Sequence, residues 1–468
     1  MAGHDDLRSL LDLQRRAFAA DPLPGRGTRI DRLRRLRGVV EKHESAFAAA
    51  IAEDFGGRSR HETLVAEVFV VVAAAKHAMR HVGGWMRMRR APVALYYRPG
   101  YNRILPQPAG VAGIVAPWNY PLQLALGPAV AALAAGNRVM LKPSELTPRL
   151  SALLERVVGE NFARDEFAVV TGGPEVGRAF VELPFDHLLF TGSTAIGRLV
   201  AQAAARNLTP VTLELGGKSP AIVDPSCNLA RAAPRIALGK LLNAGQTCIA
   251  PDYALVPEEK VDEFVTTLRA AMSAMYPRFV DNVDYTSIVS DGHYARLARL
   301  LADARAKGAR IVELGEKPDA ARRRLPPVLV LGASDDMQIM REEIFGPLLP
   351  VVSYTGIDAA IDYVARRERP LSLYWFGEDT ANRDRVLAGT ISGGVTVNDC
   401  LLHFAQEDLP FGGVGASGIG AYHGETGFRT FSRDKPVFFQ ARHNGMSVMR
   451  PPYGRALERV MALLRRLA

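Results

Sequence analysis

Two residues in the middle of the chain have the types that covalent acyl chemistry needs: the carboxylate in Leu213-Glu214-Leu215-Gly216-Gly217-Lys218 and the thiol in Asn243-Ala244-Gly245-Gln246-Thr247-Cys248. A cysteine nucleophile acts as the thiolate, and release of an acyl intermediate to water needs a base. Glu214 stands between apolar residues just before two glycines, where the backbone can turn sharply and admit a close neighbour. Cys248 lies in a run of small and polar residues, open to substrate. Taken singly, each has a plainer reading. A lone cysteine most often packs as a small hydrophobe, and a glutamate at a strand end is usually solvated charge.

Further segments shift that balance. Pro117-Trp118-Asn119-Tyr120-Pro121, Lys142-Pro143-Ser144-Glu145, Phe190-Thr191-Gly192-Ser193, Glu342-Glu343-Ile344-Phe345-Gly346-Pro347 and Leu409-Pro410-Phe411-Gly412-Gly413 accompany the two central segments. Together, and in this order, they resemble the aldehyde dehydrogenase superfamily over nearly the whole chain. Ala250-Pro251-Asp252-Tyr253 and Gly415-Ala416-Ser417-Gly418-Ile419-Gly420-Ala421-Tyr422-His423-Gly424 resemble its class 3 branch. Asp54-Phe55-Gly56-Gly57-Arg58-Ser59 and Asn207-Leu208-Thr209-Pro210-Val211-Thr212 are similar to its coniferyl aldehyde dehydrogenase-like members.

The resemblance implies oxidation of an aldehyde to its acid with NAD(P)+. Cys248 is then the nucleophile that forms a thiohemiacetal, the Asn119 amide and the Cys248 N–H stabilise the oxyanion, and Glu214 activates the water that hydrolyses the thioester. NAD is the implied cofactor, with NADP as the alternative. Lys142 and Glu145 match the adenosine-ribose contacts, Ser193 and Ile196 those beside the pyrophosphate and adenine, and Glu343 and Phe345 those at the nicotinamide ribose and ring. Trp118, Gly192 and Leu215 complete that set. Tyr120, His403 and Phe404 are expected to line an aromatic-friendly substrate approach, although His403 weighs more as a structural hydrogen-bonder than as a catalyst. Glu342 reads as surface charge, and Cys227 and Cys400 as packing residues.

With 468 residues the chain exceeds what one hydrophobic core usually serves, so two or three domains are expected. Its 48% hydrophobic and 23% charged residues describe an ordinary globular protein. The net charge of +9 is spread in small arginine groups such as Arg32, Arg34, Arg35 and Arg37. Interleaved with Leu33 and Leu36, that group reads as the wet face of an amphipathic helix, not as a nucleic-acid stripe. The charge at 322–324 likewise reads as solvated surface. Three cysteines without metal-ligand spacing argue against a disulfide framework or a metal site and for a reducing compartment. Met1-Ala-Gly-His-Asp-Asp carries no secretory pattern, so the expected address is cytoplasmic.

Helical spacing dominates to about residue 97. Pro92, Pro99 and Pro106 then punctuate an extended hairpin, and from 110 strand, turn and helix alternate as in a parallel sheet covered on both faces. The fold class expected is α/β: a Rossmann-like cofactor domain from 1–97, 110–215 and 399–428, a second α/β catalytic domain over 216–398 carrying Cys248, and a small β oligomerisation element. That element is the hairpin and strand at 98–109 and 429–445, and the resemblance makes it the seat of a homodimer. Residues 446–468 form an amphipathic tail, with Leu457, Val460, Met461, Leu464 and Leu467 on one face and Arg455, Arg459 and Arg466 beside it. It is too short to span a membrane and is expected to pack on the body. Two alternatives stand beside hydrolytic oxidation: a dehydrogenase that acylates CoA, against which Glu214 argues, and a catalytically retired binding protein, which would have lost its thiol or base.

Overall fold

The computed structural model describes residues 4–467, and the side chains of Arg466 and Leu467 lie outside the described residues, as does the opening Met1-Ala-Gly. Three sheets organise the chain. The first has six strands in the order Gly418–Ile419, Val211–Glu214, His187–Thr191, Val111–Val115, Arg138–Lys142 and Phe167–Val169, parallel except where Gly418–Ile419 runs against Val211–Glu214. A seven-stranded sheet holds Tyr253–Pro257 next to Pro220–Val223 near its middle. It too is parallel, apart from the edge strand Arg310–Glu313. The third sheet is small and antiparallel: Arg89–Ala91, Tyr101–Pro108 and Ser432–Phe439.

Sequence dictates the layers. Val111–Val115 and Arg138–Lys142 read as nearly continuous apolar runs because helices cover both faces of a parallel sheet. The helix Gln123–Ala135 is apolar all round and buried almost throughout, as a helix sandwiched between sheet and outer helices must be. Gly136 closes it in the left-handed conformation. The α/β class and parallel sheets match the expectation.

Two arginine groups do not. Arg32 is buried, not wet: its Nε lies 2.8 Å from Glu166 Oε1, while Arg35 reaches the other oxygen at 2.7 Å. The helix Arg26–Lys42 is flanked closely enough that a paired charge replaces solvent on one side. Of the group at 322–324 only Arg322 is exposed. Arg323 donates to the carbonyls of Ile288 and Phe55, and Arg324 to that of Asn282, so these two clamp loops together. A charge run cannot be told from a set of carbonyl ligands until the partners, distant in sequence, are placed.

The tail forms the helix Arg455–Leu467. Leu457, Val460 and Leu464 are only half-buried, and Met461 and Leu463 are exposed, so the expected packing onto the body is not realised in the single chain. Among the described residues no helix is long and apolar enough to cross a membrane.

Candidate active site

Cys248 follows the short turn Leu242–Gly245, in which Asn243, Ala244 and Gly245 all have φ between 52° and 74°. Asparagine tolerates this left-handed region and glycine prefers it, whereas alanine pays roughly 1 kcal/mol. At Gly245 a Cβ would strike the carbonyl of Gly346, so glycine is required for the close approach of the Glu342–Gly346 loop. Gln246 locks the turn: its side chain donates to the Asn243 and Ser287 carbonyls, each at 3.0 Å, and accepts from the Val289 amide at 2.9 Å. The sulfur therefore sits on an over-determined backbone, partly exposed at the base of a cleft. Burial pushes its pKa up, and the Glu343 and Glu214 carboxylates push the same way, while the backbone amides of Cys248 and Ile249 oppose them.

Glu214 ends its strand, paired across to Gly418. It is buried, and neither carboxylate oxygen finds a hydrogen-bond partner among the described residues. Desolvation alone drives its pKa well above the usual carboxylate range. A buried carboxyl without partners is costly in a purely structural setting, and perturbed groups of this kind cluster at functional sites. No group of three or more His, Cys, Asp or Glu residues among those described is arranged to hold a metal ion.

Asn119 stands in the loop between Val111–Val115 and Gln123–Ala135, with its Nδ2 3.2 Å from the Gln246 carbonyl. Asn119, Glu214 and Cys248 line one cleft, together with Trp118, Gly192, Ser193, Leu215, Glu343 and Phe345. Trp118 meets Phe345 edge to face at 5.3 Å. The Glu343 carboxylate occupies the space that a Cβ at Gly216 would need. Burial and the nearby Asp252 raise its pKa to about 8.

These residues fit a dinucleotide. Ser193 caps the helix Thr194–Ala205, accepting from the Ile196 amide at 3.4 Å, and the free N–H groups of that helix start favour an anionic pyrophosphate. Ile196 is half exposed on the first turn. Lys142, at the end of its strand, is buried and holds Glu145 through a 2.9 Å ion pair, leaving the Glu145 carboxylate partly exposed. Partial burial acts to raise the Glu145 pKa, but the Lys142 ammonium and the Glu145 backbone N–H together hold the group below the usual range.

Of the three residues expected along the substrate approach, His403 is the structural hydrogen-bonder that it was weighed as. His403 is buried, with Nε2 bonded to Ser372 Oγ at 2.9 Å and Nδ1 to Thr396 Oγ1 at 2.7 Å, so both nitrogens are used internally. Tyr120 is also buried, its hydroxyl 2.8 Å from Thr247 Oγ1. Phe404 packs edge-on to Phe411 and His423. None of the three belongs to the lining of the cleft at Cys248. A second, narrow cleft instead collects Val71, Trp85, Gln123, Glu407, Tyr422 and His423. Burial raises the pKa of its Tyr422 hydroxyl, and the Glu214 and Cys248 charges push the same way. His423 lies in the 415–424 segment, whose resemblance implies no role for it, and Val71, Trp85 and Gln123 carry no local signal beyond helix periodicity. His293 and Arg296, which line the first cleft, were missed for the same reason. Lys218 and Asp252 stand inside motif segments that implied no role for them; they form an ion pair that fixes the Glu343 loop, with Lys218 donating to the Glu342 carbonyl at 2.9 Å and Asp252 accepting from the Ile344 amide at 2.8 Å.

The model of the aldehyde dehydrogenase family matches residues 3–437, and the chain belongs to that family. It is an NAD(P)-dependent aldehyde dehydrogenase, an oxidoreductase acting on aldehydes. It is 50% identical over 98% of its length to a probable coniferyl aldehyde dehydrogenase of Pseudomonas aeruginosa, of which it covers 96%. A coniferyl aldehyde dehydrogenase of a Pseudomonas sp. is 46% identical over 99% of the chain and 97% of that protein. Among solved structures, the substrate-bound state of Staphylococcus aureus AldH superposes with a TM-score of 0.92 at 38% identity, covering 97% of this chain and 99% of that one.

Proposed function

We propose that the protein oxidises an aromatic aldehyde of the coniferyl type, or a medium-chain aliphatic one, to the carboxylic acid, with NAD preferred over NADP. The observation that carries this reading is the meeting in one cleft of Cys248, Asn119 and a Glu214 whose two oxygens have no partner. Coniferyl-type specificity is supported by the names of the similar Pseudomonas proteins and by the second cleft, where Trp85, Val71 and Tyr422 offer apolar and aromatic surface and no arginine is present to hold a substrate anion.

In the mechanism, Cys248 Sγ adds to the aldehyde carbon, and the developing oxyanion takes hydrogen bonds from the Asn119 amide and the Cys248 N–H. Trp118 and Phe345 would flank the nicotinamide, Glu343 its ribose, and Lys142 and Glu145 the adenosine ribose. Bound there, the nicotinamide would supply the hydride acceptor, and loss of hydride from the tetrahedral carbon would leave a thioester on Cys248. Glu214, kept short of hydrogen bonds, takes a proton from water and so generates the nucleophile that releases the acid.

The small antiparallel sheet is the proposed dimer surface, since Tyr101, Phe438 and Phe439 stand exposed along it. The site calls for no nucleic acid and no membrane, and the proposed address is cytoplasmic. The test is reduced-nicotinamide absorbance with coniferyl aldehyde, benzaldehyde, hexanal and a carboxylated semialdehyde, each with NAD and NADP, with and without CoA. Coniferyl aldehyde and NAD without CoA should lead. Strong preference for the semialdehyde, or dependence on CoA, would overturn the reading.

A further inference from the structure

Arg58 and Glu67 form an ion pair of 2.7 Å with neither side chain exposed to solvent. Taking two charges out of water costs several kcal/mol per ion, and a pair of well-packed apolar side chains is often at least as stable. The pair therefore calls for an explanation other than stability. Its contacts supply one.

Arg58 Nη1 also donates to the backbone carbonyl of Asn119, at 3.2 Å. Glu67 Oε2 accepts from the amides of Leu122 and Gln123, at 2.7 and 3.2 Å, and so caps the start of the helix Gln123–Ala135, which has no capping side chain of its own. The two partners thus grip the same short loop on either side of Tyr120-Pro121. The Arg58 guanidinium lies over the Tyr120 ring, 4.9 Å from its centroid, and the Tyr120 hydroxyl meets Thr247, the residue before Cys248. Asn243 Nδ2 makes the second hydrogen bond to the Asn119 carbonyl, at 2.8 Å, from within the left-handed turn that leads to the thiol. Held at its carbonyl by two donors and just downstream by a carboxylate, the Asn119 backbone has no freedom to shift its amide relative to Cys248.

We propose that the Arg58–Glu67 pair is a positioning brace for Asn119, setting the oxyanion donor against the nucleophile. This rests on the reading of Asn119 as that donor. Neither Arg58 nor Glu67 touches the reacting atoms. Their effect runs through the placement of one amide, where a shift of an ångström is enough to cost up to about a hundredfold in rate.

The test uses the full chain. In the paired variant, Arg58→Met/Glu67→Met, Glu62→Gln is added, because Glu62 Oε1 lies 3.8 Å from Arg58 Nε and would otherwise be left buried without its cation. Arg58→Lys keeps a charge opposite Glu67 but gives up the guanidinium fork that also reaches Asn119. Three quantities are measured: the single-turnover rate of hydride transfer, the NAD Kd, and the rate at which iodoacetamide alkylates Cys248. Alkylation is a displacement that builds no oxyanion. The brace requires hydride transfer to slow by about tenfold or more in the paired variant and by a few-fold in Arg58→Lys, with alkylation and NAD affinity within about twofold of the parent. It further requires that adding Asn119→Ala to the paired variant slow it no further than Asn119→Ala alone, because both act through one group. Parental hydride transfer in Arg58→Lys overturns the brace even where the paired variant fails to fold. So do losses that multiply with Asn119→Ala, or alkylation that falls in step with hydride transfer. Should Asn119→Ala itself leave hydride transfer intact, the oxyanion reading fails and the brace with it; a slow Asn119→Ala beside parental brace variants removes the brace alone.

Discussion

Gly418 is the antiparallel partner of Glu214, and the next amide, that of Leu215, donates to the Ser417 carbonyl at 3.0 Å. The candidate base is therefore held by a short edge strand that returns from far along the chain. Gly418 has φ 156° and a Cβ there would meet the Leu213 carbonyl, so only glycine brings the two backbones this close. Gly418→Ala should lower turnover and thermal stability together, since the added carbon would displace the strand end that presents Glu214. Parental kcat with a parental Tm would show that this contact is not needed.

Asn119→Ala should lower the hydride-transfer rate by roughly a hundredfold or more, the usual cost of one oxyanion donor. Stopped-flow absorbance reads it directly. NAD affinity should not move, because the loss belongs to a charge that develops only during reaction.

Glu343 gives a stability prediction with a definite sign. Its carboxyl is raised from an ordinary value of 4.5 to about 8 in the folded, cofactor-free protein. The folded state then binds a proton that the unfolded chain releases, so this contribution is fully present below about pH 4.5 and is lost as pH rises through about 8. Glu343→Gln, which is neutral throughout, should melt above the parent by a margin that grows across that window. A margin independent of pH in differential scanning calorimetry would contradict the assignment.

Cofactor choice should respond to Glu145. Its carboxylate, held by Lys142, accepts from ribose hydroxyls and repels a 2′-phosphate. Glu145→Gln should narrow the ratio of kcat/KM for NAD to that for NADP by several-fold, with Lys142 left free to pair with the phosphate. An unchanged ratio would place the discrimination elsewhere.

The roles of Cys248 and Glu214 were legible through the family resemblance of their two segments together with the five that accompany them, since each residue taken singly had a plainer reading. The parallel sheets were legible from alternation, since the helix Gln123–Ala135 and its flanking strands are apolar for local reasons. What stayed hidden depends on partners distant in sequence. Arg32 looks solvated until Glu166 is beside it, and Arg324 until the Asn282 carbonyl is. His403 was open to two uses until Ser372 and Thr396 took both nitrogens. The second cleft joins Trp85, Gln123 and His423 from three separated segments, and no spacing rule connects them.

The central claim, that Cys248 carries the acyl group and Glu214 activates the water that removes it, is tested most directly by Glu214→Gln mixed with aldehyde and NAD. The side chain keeps its shape and loses its basicity, so the two halves of the reaction should separate. Reduced cofactor should appear in a burst of up to about one equivalent per site and then stop. Intact-protein mass spectrometry should show an acyl adduct, mapped by digestion to the peptide containing Cys248. An adduct on Cys227 or Cys400, or steady turnover at the parental rate, would contradict the account.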